Sequence, residues 1–282
     1  MNFEYQEKSL RELCESLLRD GTAGAVVGFG ERSSVSGVAM PIIVKKPEDS
    51  GRLSWNSRCV PSLARYIADV KGVVAALVAK PCDARAAAAL IVERQLDRKN
   101  IYIIGMECAG MTDSDGLTLA ACAECSSRRA PVFDSEIRGA REVLSGYAAA
   151  SAEGNSADRF RAEMDKCILC FSCRQACYGC YCETCFMDRG TPNWQPSKPD
   201  TGAKMIYHLG RAMHLAGRCV ECGACENVCA SGVNVRYLIK SVTDFIDAEY
   251  GYRAGMDTET LPALQTYSQD DGEPGFWGKD NE

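Results

Sequence analysis

The sequence has no long apolar run, and its charge balance is acidic. The longest apolar stretches, at 72–79 and 86–92, fall far short of the roughly 18 residues that a bilayer-spanning helix needs. The net charge of −6 argues against a nucleic-acid partner, because such proteins cluster lysine and arginine. The N-terminal residues 1–20 are charged and lack the apolar core of a secretory signal. We therefore expect a cytoplasmic protein without a membrane span.

Nucleotide-binding motifs and histidine are also scarce. No Gly-x-Gly-x-x-Gly pattern follows a predicted strand, and no Walker loop is present. The Gly/Ser-rich stretch at 28–37 could cradle a phosphate, although a hairpin loop is its more common meaning. The two histidines, His208 and His214, lie six residues apart on a helix predicted at 202–216, so they do not share a face. We predict no catalytic role for them.

The N-terminal half contains apolar strands that alternate with helices. Strands are predicted at 23–29, 39–46, 72–79 and 101–106. Helices are predicted at 1–20, 61–70, 83–98 and 136–150. Asp83 is the expected N-cap of its helix. This alternation predicts an α/β fold with a mixed, partly parallel sheet.

The composition changes after residue 107, where cysteine and polar residues become frequent. We predict an α/β domain over 1–150 and a small bacterial-type two-cluster ferredoxin module over 151–250, with C-terminal helices. A linker is expected at 151–158. The last segment, 251–282, ends in a Gly/Pro/acidic stretch with little to bury, so it is expected to be a mobile or partner-contacting tail.

Cysteine is abundant, with 17 thiols in 282 residues. Disulfide frameworks are typical of small secreted chains, so short fixed spacings in this chain indicate metal ligands. Two segments share the spacing C-x2-C-x2-C-x3-C. The first run consists of Cys167, Cys170, Cys173 and Cys177. The second run consists of Cys219, Cys222, Cys225 and Cys229.

This spacing is typical of bacterial two-cluster ferredoxins, in which the fourth cysteine of each run binds the 4Fe–4S cube of the other run. The predicted cluster A ligands are Cys167, Cys170, Cys173 and Cys229. The predicted cluster B ligands are Cys219, Cys222, Cys225 and Cys177. Both histidines are expected to pack near cluster B. Zinc is the alternative metal, but it does not explain two runs with identical gaps. Tyr178 and Ala230 stand where proline usually follows the fourth cysteine.

Further cysteines lie outside the two runs. The insertion cysteines are Cys180, Cys182 and Cys185. They could hold part of another cluster, one of them could replace Cys177 as an outer ligand, or they could be free thiols. The N-terminal set is Cys82, Cys108, Cys122 and Cys125. Its first two members follow predicted strands, and ligands bind at the carboxyl ends of strands in open α/β sheets. We therefore expect one or two further iron–sulfur clusters.

Alternatives remain for the N-terminal set and the other thiols. Two members of the set could be core cysteines, with the C-x2-C pair forming part of a zinc site that needs other ligands. Cys14, on an amphipathic helix, and Cys59 are expected to be plain thiols.

Several segments resemble a known family. The order of "GAVVGF", "SRCVPSLARYI", "VVAALVAKPCDARA" and "IYIIGMECAGM" is similar to the beta subunit of the deazaflavin-coenzyme hydrogenase/dehydrogenase family, which includes formate dehydrogenase beta subunits. The family's strand–(K/L)-P-C-(D/H)–helix and strand–G-(L/I)-x-C elements match Lys80–Asp83 and Gly105–Cys108. The stretch beginning "RCVECGACENVCASGVNVRYLIKSV" resembles the two-cluster ferredoxin modules that are fused to such subunits.

The resemblance implies an α/β domain that binds FAD and exchanges electrons with iron–sulfur clusters. It implies an electron-transfer subunit of a cytoplasmic anaerobic redox complex. The expected partner is a formate dehydrogenase, a hydrogenase or a heterodisulfide-reductase-like module. The alternative is a free-standing FAD/iron–sulfur oxidoreductase that acts on a deazaflavin or a similar two-electron carrier. A zinc-stapled scaffold is a third possibility.

Overall fold

The structure is a computed structural model that describes residues 3–32, 35–139, 156–188 and 200–266. Its strands are β1 (Ala25–Arg32), β2 (Val35–Val44), β3 (Ala75–Ala79), β4 (Ile101–Met106) and β5 (Ser135–Ile137). Its α-helices are α1 (Phe3–Arg19), α2 (Pro81–Val92), α3 (Ala120–Ala123), α4 (Ser156–Lys166), α5 (Ser172–Gln175), α6 (Thr201–His214), α7 (Ala224–Asn227) and α8 (Val235–Tyr250). Short 3₁₀ helices span Pro47–Arg52, Leu63–Asp69, Arg98–Asn100, Phe186–Asp188 and Ala263–Gln265.

The strands form one five-stranded sheet in the order β2-β1-β3-β4-β5. β1 and β2 form an antiparallel hairpin, whereas β1–β3, β3–β4 and β4–β5 are parallel pairs. Every residue of β3 is buried, as is typical of a central parallel strand that is covered on both faces. The predicted α/β fold with a mixed, partly parallel sheet is confirmed.

Helix α2 follows β3 directly and places Cys82 at the carboxyl end of that strand. The predicted N-cap role of Asp83 is wrong, because Lys80 is the N-cap residue and Asp83 lies within the first turn. The buried Asp83 carboxylate pairs with Lys80 at 2.9 Å and accepts hydrogen bonds from Ser62 Oγ at 2.8 Å and the Leu63 N–H at 2.9 Å. Its role is to hold the segment before β3 against α2.

Other sequence predictions differ in their limits. Helix α2 ends at Val92 instead of continuing to residue 98, and Arg94 has a left-handed φ of 57°. The prediction of a helix at 136–150 is wrong for its first residues, because Ser135–Ile137 is a strand. The rest of that prediction, residues 140–150, lies outside the described residues. Helix α4 begins at Ser156, within the predicted linker, and residues 151–155 are also outside the described ranges.

Two hydrophobic clusters fill the interior. The larger surrounds the sheet and includes Leu10 of α1, but it also includes Tyr178, Val220 and Ala254 from the C-terminal half. The smaller lies among α4, α6 and α8, where its apolar side chains are interspersed with cysteines. The two halves therefore pack directly against each other, and the domain limits remain a prediction. No helix in the described part of the chain is long and apolar enough to cross a membrane.

Candidate metal centres

The two cysteine runs begin with the same backbone conformation. Leu169 and Glu221, each two residues after the first cysteine of its run, have positive φ angles of 52° and 58°. Their N–H groups donate to Cys167 Sγ and Cys219 Sγ, both at 3.3 Å. Each first cysteine thus has a backbone donor directed at its sulfur.

The two runs also share a backbone conformation between their second and third cysteines. Phe171 and Gly223 have φ angles of 60° and 71° and are the N-caps of the short helices α5 and α7. A left-handed conformation costs a residue other than glycine about 1–2 kcal/mol. Its repetition at Leu169, Phe171 and Glu221 indicates that both loops are held in one particular shape.

The predicted cluster A ligands come together in the structure. They line one cavity with the loop between the first cysteines and with Tyr207 and His208 of α6. The Tyr207 hydroxyl lies 3.8 Å from Cys173 Sγ, and the Val233 N–H donates to Cys229 Sγ at 3.3 Å. The fourth cysteine of the second run therefore lies with the first three of the first run.

The histidine prediction needs one correction. His208 is buried and its Nε2 lies 3.4 Å from Cys167 Sγ, so it packs beside a predicted cluster A ligand instead of the predicted cluster B ligands. Burial and then the nearby Arg211 lower the pKa of His208 to about 4. His214 is exposed and contacts the Phe186 ring, with 4.5 Å between the ring centres. The two histidines thus lie on different faces of α6.

The predicted cluster B ligands also lie close together. Burial raises the pKa of Cys219 to about 11 and that of Cys225 to about 12, and it raises the pKa of Cys222 as well. The Cys177 thiol adds to the increase in all three, which shows that it is near the second run. The fourth cysteine of each run thus lies near the first three cysteines of the other run, as the predicted exchange requires.

Tyr178 occupies the position where proline is usual, and it connects the two runs. Its ring is buried, and its hydroxyl donates to the backbone carbonyl of Arg218, immediately before the second run begins. A proline could not make this contact, because it has no polar side chain. At this departure from the usual pattern, Tyr178 thus links the two runs directly.

The insertion cysteines do not meet at one point. Cys180 lies beside Cys177, whose pKa is lowered by a hydrogen bond from the Cys180 thiol. Cys185 lies beside Arg174, which also pairs with Asp188 at 2.8 Å, and Cys182 is exposed. Of these three thiols, Cys180 is the one placed to exchange with Cys177 as a ligand.

The N-terminal set lines a single cavity of about 280 Å³. Burial raises the pKa of Cys108, which follows β4, to about 11. The nearby thiols of Cys122 and Cys125 add to this increase. Cys108 in turn lies near Cys82. The structure thus gathers the four thiols at the carboxyl edge of the sheet.

Cys222 of the second run lines this same cavity and lies near Cys82. The cluster B ligands and the N-terminal set therefore adjoin one another. No sequence spacing could have revealed this approach, because it arises from the packing of the C-terminal half on the sheet.

Sequence reasoning also missed the charged residues that border the thiols. Buried Lys80 pairs with Asp83, and Arg236 on α8 bridges Glu124 and Glu226 at 3.0 Å each. These side chains line or border the cavity of the N-terminal set.

Two arginines border the thiols and have no carboxylate partner within the described ranges. Arg85 donates from Nε to the Ala254 carbonyl at 3.0 Å, and Arg211 donates from Nη2 to the Cys173 carbonyl at 3.0 Å. Both are buried and keep nitrogen atoms that have no partner among the described residues.

Two thiols, Cys14 and Cys59, lie outside these groups. Cys14 and Cys59 have no exposed surface and belong to the sheet core, and burial raises the pKa of each to about 12. Within the described ranges, no three Cys, His, Asp or Glu side chains are arranged to hold a single metal ion. A four-iron cube is held differently, because each of its thiolates binds a different iron.

Comparison with known proteins gives partial matches. No protein-family model matches the chain. The "F420-dependent formate dehydrogenase subunit beta" of Methanocaldococcus jannaschii is 27% identical over 109 residues, which are 39% of this chain and 28% of that protein. The "F420-dependent formate dehydrogenase 1 subunit beta" of Methanococcus maripaludis is 32% identical over 107 residues, 38% of this chain and 27% of that protein. The chain therefore spans little more than a quarter of these curated relatives' length.

Proposed function

We propose that this chain is an iron–sulfur electron-transfer subunit of an anaerobic redox complex. The observation that carries the proposal is the position of the thiols in three adjoining groups, which are the cluster A ligands, the cluster B ligands and the N-terminal set. An iron–sulfur cluster supplies reversible one-electron chemistry when it is bound. Thiolates are its protein ligands, so the donor atoms present fit such a group.

The surroundings of the thiols also fit bound clusters. The Leu169 and Glu221 N–H groups donate to sulfur, as donors to cluster thiolates do. Arg211 offers two buried nitrogen atoms that have no partner among the described residues, which suits an anionic group beside it. The cysteines of the second run are half-buried, so their sulfurs are partly shielded from water. These residues would bind, neutralise and shield the clusters.

The arrangement suits a protein that connects two partners. The cluster A ligands lie beside α6, and the N-terminal set lies at the sheet edge, with the cluster B ligands between them. The relatives are named as beta subunits of F420-dependent formate dehydrogenases. We therefore propose that one partner is a formate dehydrogenase, a hydrogenase or a heterodisulfide-reductase-like module, and that the other is an electron carrier.

A second candidate is a free-standing FAD/iron–sulfur oxidoreductase that acts on a deazaflavin or a similar carrier. A cavity of about 460 Å³ between the sheet and α7 favours it, because Arg58, Tyr66 and Thr112 line its wall. A cation, an aromatic ring and a hydroxyl are groups that a flavin nucleotide would need, and the volume is within the range of small-molecule sites. These are the residues that we propose would hold FAD.

Anaerobic purification followed by metal, sulfide and flavin analysis tests both candidates. Iron and acid-labile sulfide, with no turnover of a hydride donor until a partner is added, would support the electron-transfer subunit. Released FAD together with turnover by the isolated chain would support the oxidoreductase. Zinc without sulfide would contradict both and would favour the scaffold.

A further inference from the structure

Helix α6 directs one face at both cysteine runs. Tyr207, His208 and Arg211 lie on this buried face, and the first two reach cysteines of the cluster A ligands. Arg211 lies one turn further along the helix. The guanidinium's electrostatic partners are Cys225, Cys177, Cys180 and Cys173, which belong to both sets of predicted ligands or lie next to them. Arg211 therefore stands at the boundary between cluster A and cluster B.

The guanidinium of Arg211 has fewer partners than its burial requires. The residue is 4% exposed, its Nη2 donates to the Cys173 carbonyl at 3.0 Å, and the Cys177 and Cys180 thiols lie within reach of the guanidinium. Nε and Nη1 have no hydrogen-bond partner among the described residues, and no carboxylate of that part of the chain pairs with the group. An arginine remains charged in proteins, and a buried charge without an oppositely charged partner is unfavourable. The groups that face this guanidinium in the described chain are therefore thiols and not carboxylates.

Two other buried cations of the described chain are neutralised by carboxylates. Lys80 has Asp83, and Arg236 has Glu124 and Glu226. Arg85 resembles Arg211, because its Nη2 also lacks a partner in the described chain and it lines the cavity of the N-terminal set. The two unpaired arginines thus lie beside thiols, whereas Lys80 and Arg236 are paired.

We propose that Arg211 sets the reduction potential of both clusters, because its fixed positive charge stabilises the more negative, reduced state of the groups that the two runs hold. This inference rests on the proposed function. Net charge and hydrogen bonds near a cluster are among the factors that set its potential. Reduction adds one electron, so a cation at the boundary favours the reduced form on both sides. Loss of that charge should lower both potentials.

Two substitutions separate the charge of Arg211 from its packing. Arg211→Gln removes the charge and keeps hydrogen-bonding capacity, whereas Arg211→Lys keeps the charge and loses the planar, forked guanidinium group. Arg98→Gln is the matched control, since Arg98 pairs with Asp134 at the partly exposed sheet edge and the same net charge is lost. The full chain of each variant is prepared anaerobically. Iron and sulfide per chain are measured, followed by redox titration monitored by electron paramagnetic resonance.

The expected result is a lower midpoint potential for both clusters in Arg211→Gln, with iron content unchanged and with Arg211→Lys and Arg98→Gln close to the wild type. Loss of iron in Arg211→Gln but not in Arg211→Lys would also support a role for the charge. Unchanged potentials at unchanged iron content would overturn the inference and leave the proposed function standing. Equal loss of iron in Arg211→Gln and Arg211→Lys would overturn it too, because packing would then be the cause. A wild-type protein without iron would refute the proposed function itself.

Discussion

The sheet region and the cysteine-rich region are stabilised by different means. In the sheet region, Val26, Leu77 and Ile103 have no exposed surface, and such burial contributes about 25 cal/mol per Å² of apolar area. In the cysteine-rich region, α5 and α7 are single short turns, and the loops before them hold non-glycine residues in left-handed conformations. We expect the first region to fold from apolar burial alone, and the second, whose own apolar cluster is smaller, to depend also on the clusters that we propose its thiols bind.

Removal of iron should have the largest effect, and it should affect the two regions differently. Anaerobic chelation should abolish the amide hydrogen-exchange protection of α6 and α8, because metal binding is part of the folding free energy of such sites. Protection of β3 and β4 should persist. The untreated protein, held for the same time without chelator, is the control. Simultaneous loss of protection in both regions would show that the sheet does not stand without the metal.

Cys222→Ser should have the next largest effect. Cys222 is a predicted cluster B ligand, so the variant should lose about four iron atoms per chain. Cys14→Ser is the control, because Cys14 is a thiol of the sheet core with no exposed surface. The control should keep its iron even though its stability falls. Equal iron content in Cys222→Ser and the wild type would exclude Cys222 as a ligand.

Cys82→Ser tests whether the sheet region holds a cluster of its own. If the N-terminal set binds a cube, the variant should lose about four iron atoms while the signals of the two runs remain. Cys59→Ser, which changes another buried thiol of the sheet core, should leave the iron count as it is. An unchanged iron count in Cys82→Ser would refute the N-terminal cluster and would leave the ligand assignment of the two runs unaffected.

Gly255→Ala should weaken the contact between the two regions. Gly255 has a φ of 73°, and an added Cβ would lie 1.9 Å from the Arg85 carbonyl oxygen. We expect the free energy of unfolding to fall by about 3 kcal/mol, from backbone strain and overpacking together. Gly251→Ala is matched in backbone conformation, with a φ of 60°, but its Cβ would meet nothing within 4 Å. A denaturant titration that found equal losses in both variants would contradict the steric role.

Cys182→Ser should have the smallest effect. Cys182 is exposed, whereas Cys180 lies beside Cys177. The iron content and the potentials of Cys182→Ser should equal those of the wild type, and Cys180→Ser should change at least one of them. A loss of iron in Cys182→Ser would instead favour a further cluster held by the insertion cysteines.

The sequence predicted the features that depend on local pattern. The apolar stretches predicted as strands correspond to β3 and β4. The rule that ligands bind at the carboxyl ends of strands correctly predicted that Cys82 and Cys108 lie at one edge of the sheet. The three-residue strand β5 gave no periodic signal, because it is defined by its pairing with β4. Asp83 was expected to cap its own helix, but its partners include Ser62 and Leu63, which lie about twenty residues away in sequence.

The features that the sequence did not predict arise from tertiary packing. Nothing in the composition of α6 distinguishes Arg211, which is buried, from an arginine on a solvated face. The approach of Cys222 to the N-terminal set likewise requires the two halves to pack together. Spacing within a run identifies a group of ligands, but it does not determine which other group that run will adjoin.

Iron and acid-labile sulfide per chain, measured on anaerobically purified protein together with electron paramagnetic resonance after reduction, test the central proposal most directly. The two runs alone should give about eight iron atoms and eight sulfides, with about four more of each from the N-terminal set. The signals of the reduced clusters should show magnetic interaction, because the groups adjoin. A colourless, iron-free protein, or one that contains zinc without sulfide, would contradict the proposal.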